Sequence, residues 1–210
     1  MSTGERTTES VDSNIHFLKP DQVEAMRDAA HEGRHGHRDE AIVALLYDTG
    51  LRRSELSRVD RGMLDLEDEV LRLPGGPAVQ KDYPTDGTPD PATITLDPEG
   101  DLRTVRTLRS YLATRDDDQD ALVTSRKADR MTGKGINDVV QRCARRAEVR
   151  PHSHAGQGDV EDVSAHTLRH SVAYRMLTVY DGFTLYNVRN RLRHSRLQTT
   201  EQKYDHFDAV

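Results

Sequence analysis

A single cysteine, Cys143, among 210 residues excludes an internal disulfide and any zinc site built on several thiolates. On a helical stretch it reads as a small packing residue. No apolar run approaches the roughly 20 residues that span a bilayer, and Met1 to Ser13 is polar rather than a signal peptide, so the expectation is a cytoplasmic protein without a membrane partner. Lysine is scarce, present only at Lys19, Lys81, Lys127, Lys134 and Lys203, and the rest of the positive charge is arginine. The net charge of −6 argues against a protein that coats nucleic acid indiscriminately, which would be strongly basic. Any such binding must come from local patches. Excess aspartate beside few lysines reads as an acidic surface adapted to high salt, a setting in which phosphate contacts lose affinity steeply.

Hydrophobic residues make up 34% and charged residues 31% of the chain, so the core is economical and much of the sequence is solvated. The length suits one domain. Residues 1–15 lack periodicity and read as a disordered tail, leaving 16–210 as the folded part. Helical spacing runs from Pro20 toward Gly33, from about Arg38 to Asp48, and briefly from Ser54 to Arg58. From Met63 to Leu96 the pattern alternates, which predicts a small antiparallel sheet near residues 63–96. Helices resume at about Pro98 to Arg115, Gly135 to Glu148, Ala165 to Tyr180, Leu185 to Leu192 and Leu197 to Tyr204. Asp116 to Asp118 and Pro151 to Asp162 read as loops. The fold class is therefore α+β, mainly helical.

Four short motifs carry chemistry: Thr49-Gly50-Leu51-Arg52-Arg53-Ser54-Glu55-Leu56, then His166-Thr167-Leu168-Arg169-His170, then Leu192-Arg193-His194, and Thr199-Thr200 running into Tyr204, ten positions after His194. Each alone is weak; all of them in this order around a small sheet are strong. Together they resemble the catalytic set of the tyrosine recombinase, or phage-integrase, family over about residues 17 to 208. The resemblance implies a tyrosine-recombinase-type catalytic domain that breaks and rejoins double-stranded DNA through a 3′-phosphotyrosyl link on Tyr204. It implies Arg52 and Arg169 on the phosphate oxygens, His166 as a base, His194 beside the phosphate or the tyrosine, Lys81 as the acid for the leaving 5′ oxygen, and no metal or cofactor. Guanidinium forks neutralise nonbridging oxygens at any working pH, and a phenol of ordinary pKa ~10 needs positive charge and a base to become nucleophilic. Homo-oligomers, dimers or tetramers on DNA, are the implied assembly. The rival readings are a type IB topoisomerase-like enzyme and a non-catalytic DNA-binding remnant.

The sequence departs from the family in places. Arg193 stands where the family carries glycine, and the helical core-binding domain that closes the clamp around DNA is expected to be absent. Only Asp205 to Val210 follow the tyrosine. Arg189, Arg193 and Arg196 flank the motifs and are candidate phosphate contacts, as is Lys134 just before a helix start. His170 reads as an interior structural histidine. Tyr174, Tyr180 and Tyr186 read as core or interface residues. His31, His35 and His37, and His152 with His154, read as solvated loop histidines because no cysteine accompanies them.

Overall fold

In the computed structural model of the protein, residues 15–80, 88–126, 128–194, 197–204 and 207 are described. Lys81 and Arg196, two of the candidate site residues, lie outside them, as does all of the expected tail except Ile15. Ile15 is buried and belongs to the core.

Helix α2 (Gly36–Thr49) is the axis of the molecule. Every residue from Ala41 to Thr49 is buried, because α1 (Pro20–Ala30), α4 (Thr104–Ala113), α5 (Gly133–Arg146) and α6 (Ala165–Tyr174) surround it. The surrounding helices are amphipathic: Val23, Met26 and Ala30 of α1 and Ile136, Val139, Val140 and Cys143 of α5 recur at helical spacing and point inward. Cys143 is fully buried, which pushes its thiol up to about 11 and makes it inert packing. A short helix α3 (Arg53–Leu56) follows α2. Strands β1 (Leu64–Asp65), β2 (Val70–Leu73) and β3 (Ala92–Thr95) form an antiparallel sheet in that order, with Leu71 opposite both Leu64 and Ile94. Leu71, Leu73 and Ile94 face the core while Arg72, Thr93 and Thr95 face out, the period expected of a half-buried sheet.

Three elements differ from the sequence reading. Helix α4 starts at Thr104 rather than near Pro98, because the Asp97 carboxylate accepts the amide protons of Leu102 and Arg103 and holds the intervening segment as a turn. The Pro151 to Asp162 loop contains a small hairpin, β4 (His152–Ser153) with β5 (Gly156–Gln157). Beyond Tyr174 the chain widens into a π-helix, Arg175–Val179, where Arg175 turns onto the ring and carbonyl of Tyr47. Helices α7 (Leu185–Leu192) and α8 (Leu197–Tyr204) lie where expected. Among the described residues no helix is long and apolar enough to cross a membrane.

The C-terminal end of α2 organises the site. Gly50 adopts a left-handed φ of 62° and returns its amide to the Leu46 carbonyl, ending the helix. The next four carbonyls have no helical partner, and each accepts from a different arginine. Arg175 takes Tyr47 at 3.0 Å, Arg191 takes Asp48 at 2.9 and 3.0 Å, Arg193 takes Thr49 at 3.2 Å, and Arg169 takes Gly50. Cations at the negative end of a helix dipole are favoured there. Two buried carboxylates sit among these arginines. Asp48 pairs with Arg191, and burial raises its pKa against that arginine's pull. Glu55 accepts from Arg52 at 2.8 Å and from Arg193 at 3.1 Å, and also from the Arg52 amide at 2.9 Å. Burial pushes the Glu55 pKa up, but Arg193, Arg52 and Arg169 more than offset it and hold it at about 2.

Two outcomes follow for stability. A Cβ on Gly50 would fall 2.4 Å from Leu192 Cδ2 at a backbone conformation that disfavours L side chains, so Gly50→Ala lowers unfolding free energy in urea by about 3 kcal/mol. Because the Glu55 pKa is about 2 when folded against an ordinary 4.5, its contribution is fully present above pH 4.5 and is lost as pH falls toward 2. Urea titrations across that window show a shallower loss of stability in Glu55→Gln than in the parent; an unchanged slope would sink the assignment.

Candidate active site

Four segments distant in sequence converge beside the end of α2. Arg52 precedes α3, with its side chain 17% exposed and its guanidinium braced by Glu55. His166, Arg169 and His170 occupy one face of α6, since positions three and four apart on a helix are neighbours. The N-terminus of α6 is fixed by Ser164, whose hydroxyl accepts from the Thr167 amide at 3.2 Å. The α7 end supplies Arg193 and His194, and α8 supplies Thr200 and Tyr204, again one turn apart on one face.

Tyr204 lies at the centre, 1% exposed. Its hydroxyl is 2.6 Å from His170 Nδ1. The His194 ring lies parallel to the phenol, with centroids 6.3 Å apart and planes 6° apart, and its Nδ1 is 2.9 Å from the Thr200 hydroxyl. His166 meets His170 edge-on at 4.4 Å and reaches the surface. Arg169 is buried beneath them and donates to the Gly50 carbonyl and, at 2.5 Å, to that of Leu192. It thereby ties α2, α6 and α7 together.

The electrostatics are those of a largely buried, positive pocket. Burial, then the charges of Arg169 and Arg52 among others, lower the pKa of His194 to about 3. For His166 the causes are partial burial, then Arg169, Lys203, Arg52 and Arg53, and the value is about 4. His170 is lowered well below the ordinary range by burial, then by His166, Lys203 and Arg169. All three imidazoles are neutral at neutral pH. Burial raises the Tyr204 pKa, more than the Arg169 and Arg52 charges lower it, so the phenol is protonated and a single proton lies between Tyr204 and His170.

Of the residues singled out from sequence, Arg52, His166, Arg169, His194 and Tyr204 come together. Arg52 also pairs with Glu55, and that pair positions the guanidinium. Arg193 is turned inward onto Glu55 and the Thr49 and Arg191 carbonyls rather than outward, with its backbone at φ 53° as the left-handed cap of α7. That conformation is the physical reason a glycine suits this position. Arg189 is half-buried, its guanidinium 5.8 Å above the exposed Tyr186 ring. Lys134 is largely exposed, pairs with Asp138 at 2.8 Å, and sits at the start of α5, where Gly133 packs on Arg53. Tyr174 and Tyr180 are engaged elsewhere, on Phe17 and Asp101. Sequence spacing does not show His170 as the hydroxyl's partner; the signal available for it is its place four residues after His166 on the Arg169 face.

Residues 16–209 match the model of the phage integrase family. The chain is 32% identical over 180 residues to the tyrosine recombinase XerC of Bifidobacterium longum (strain DJO10A), covering 86% of this chain and 46% of that protein. It spans about half the length of the curated relatives it matches. Among solved structures, the XerA recombinase shares the fold with a TM-score of 0.67 at 22% identity, over 90% of this chain and 59% of that one. The Tn1549 transposon integrase, solved in complex with a circular intermediate DNA, gives a TM-score of 0.67 at 17% identity over 95% and 63%. With the arginine, histidine and tyrosine motifs gathered around one hydroxyl, and a family match that runs nearly end to end, the chain belongs to the phage integrase family of tyrosine recombinases.

Proposed function

We propose that residues 16–210 form the catalytic domain of a site-specific DNA recombinase, acting in the cytoplasm on double-stranded DNA without metal or cofactor. The observation that carries this reading is the Tyr204 hydroxyl, held 2.6 Å from a neutral imidazole in a pocket with surplus arginine charge. Among the described residues, Arg52, Arg169, Arg175, Arg191 and Arg193 face only Asp48 and Glu55 as buried acids near the α2 end. A phosphodiester is the anion that balances such an excess.

In the proposed reaction the phenol oxygen attacks the scissile phosphorus, the P–O5′ bond breaks, and the DNA 3′ end is left as a phosphotyrosine. Arg52 and Arg169 stabilise the nonbridging oxygens as charge develops on them. The phenolic proton passes to an imidazole, with His170 holding it at rest and His166 at the mouth of the pocket as the base facing the DNA. His194 sets the phenol plane. Lys81 protonates the departing 5′ oxygen. A 5′-hydroxyl from a partner strand then reverses the step, which requires further copies of the chain on DNA as a dimer or tetramer. Lys134, Arg189 and Arg196 are proposed to touch flanking phosphates, and Arg193 to act through Glu55. Because Tyr204 is buried, cleavage requires α8 to carry the ring out toward the phosphate.

Covalent trapping on nicked suicide duplexes, at high and low salt, tests the reading. The wild-type chain yields a denaturation-resistant adduct. Tyr204→Phe yields none, keeps its DNA affinity, and loses only about 1 kcal/mol of stability with the His170 bond. Arg52→Ala lowers adduct formation by about a hundredfold or more. DNA binding with no adduct at any salt concentration would overturn the enzyme reading in favour of a binding-only protein.

A further inference from the structure

At the other end of α2, about 20 Å along the helix from the arginine cluster, a second group of side chains converges. His31 caps the end of α1, and its Nε2 lies 2.8 Å from Glu40 Oε2. His37 meets His31 edge-on, with ring centroids 5.2 Å apart and planes at 83°. His37 and Glu40 are three residues apart on α2 and share a face. One ligand atom from each of the three lies within 4.8 Å of the others. Ligands about 2.0–2.2 Å from a zinc ion stand roughly 3–4 Å from one another, so small rotamer adjustments close this set around an ion.

The surroundings orient these groups. Glu40 Oε1 accepts from buried Arg27 at 3.1 Å and from the Thr107 hydroxyl at 3.1 Å, which leaves Oε2 directed at His31. Partners of this kind fix a ligating carboxylate. A side chain at Gly36 would come within 2.8 Å of His31 Nδ1, so the glycine gives the ring its place. His31 sits at the negative end of α1, where a cation is favoured. Arg103 and Arg106 line the same cleft of about 240 Å³ and work against a cation, although Arg103 is engaged by Glu24. His35, the third histidine of this sequence cluster, is not in the set.

The geometry points to a divalent transition-metal site formed by His31, His37 and Glu40, separate from the strand-transfer chemistry. Two imidazoles and one carboxylate select zinc, nickel or copper over magnesium or calcium, and leave one or more positions for water. A bound ion cross-links the end of α1 to the first turns of α2. The sequence reading of these histidines as merely solvated missed Glu40, which only the helical register brings to them.

The test is calorimetric titration of the chelator-treated full chain with zinc chloride, alongside melting curves with and without zinc. One equivalent binds and the melting temperature rises. His37→Ala and His31→Ala weaken zinc binding by more than about tenfold and lose that rise, while their metal-free melting stays near the parent's because both rings are exposed. His35→Ala keeps both. The proposal is overturned by an absence of zinc uptake in the parent, or by uptake of equal stoichiometry and affinity after both His31 and His37 are replaced.

Discussion

Four consecutive carbonyls at the end of one buried helix, each held by a different arginine, are the constraint on which the rest of the structure depends. A helix that stops inside a protein leaves acceptors that water cannot reach, and each one left unpaired costs on the order of 1–3 kcal/mol. Here Arg169, Arg175, Arg191 and Arg193 come from α6, the π-helix and the end of α7, so satisfying α2 also fixes the C-terminal third of the chain. The site is a by-product of that closure. Arg169 cannot reach the Gly50 and Leu192 carbonyls without bringing His166, on the same face, to the mouth of the pocket and His170 to the Tyr204 hydroxyl.

Concentrating that much positive charge is costly unless carboxylates accompany it, and Glu55 and Asp48 do so from inside the fold. Among the described residues the compensation is partial. Glu55 is shared between Arg52 and Arg193, and the residual field acts on everything nearby: it adds to the burial that keeps three imidazoles neutral and pulls against the burial that holds the Tyr204 proton on. Arg193 is instructive here. In a left-handed backbone position where glycine costs nothing, an arginine accepts strain of about 1 kcal/mol and contributes a second partner for Glu55.

Much of this was legible in sequence because it is local or periodic. The apolar spacing of α1, α2 and α5 and the alternation of β2 and β3 are short-range signals, and the four motifs carried the family resemblance. What escaped depended on side-chain partners that periodicity does not show. The late start of α4 is set by the Asp97 side chain, the inward turn of Arg193 by Glu55, more than a hundred residues away, and the role of His170 by Tyr204. No spacing rule encodes those, since each is decided by which buried acceptor or hydroxyl the folded chain brings within reach. Lys81 and Arg196 remain sequence-level assignments.

Tyr204 is also a core residue. It packs with Val172, Val188, Leu192 and Phe207, and Phe207 stacks near it at 5.9 Å. A tyrosine that doubles as hydrophobic filling cannot depart without leaving a void of aromatic size, and emptying such a position costs about 3–5 kcal/mol before any relaxation. The resting site is thereby latched by packing rather than by chemistry. Only a partner that binds the released form more tightly by a comparable amount can hold the latch open.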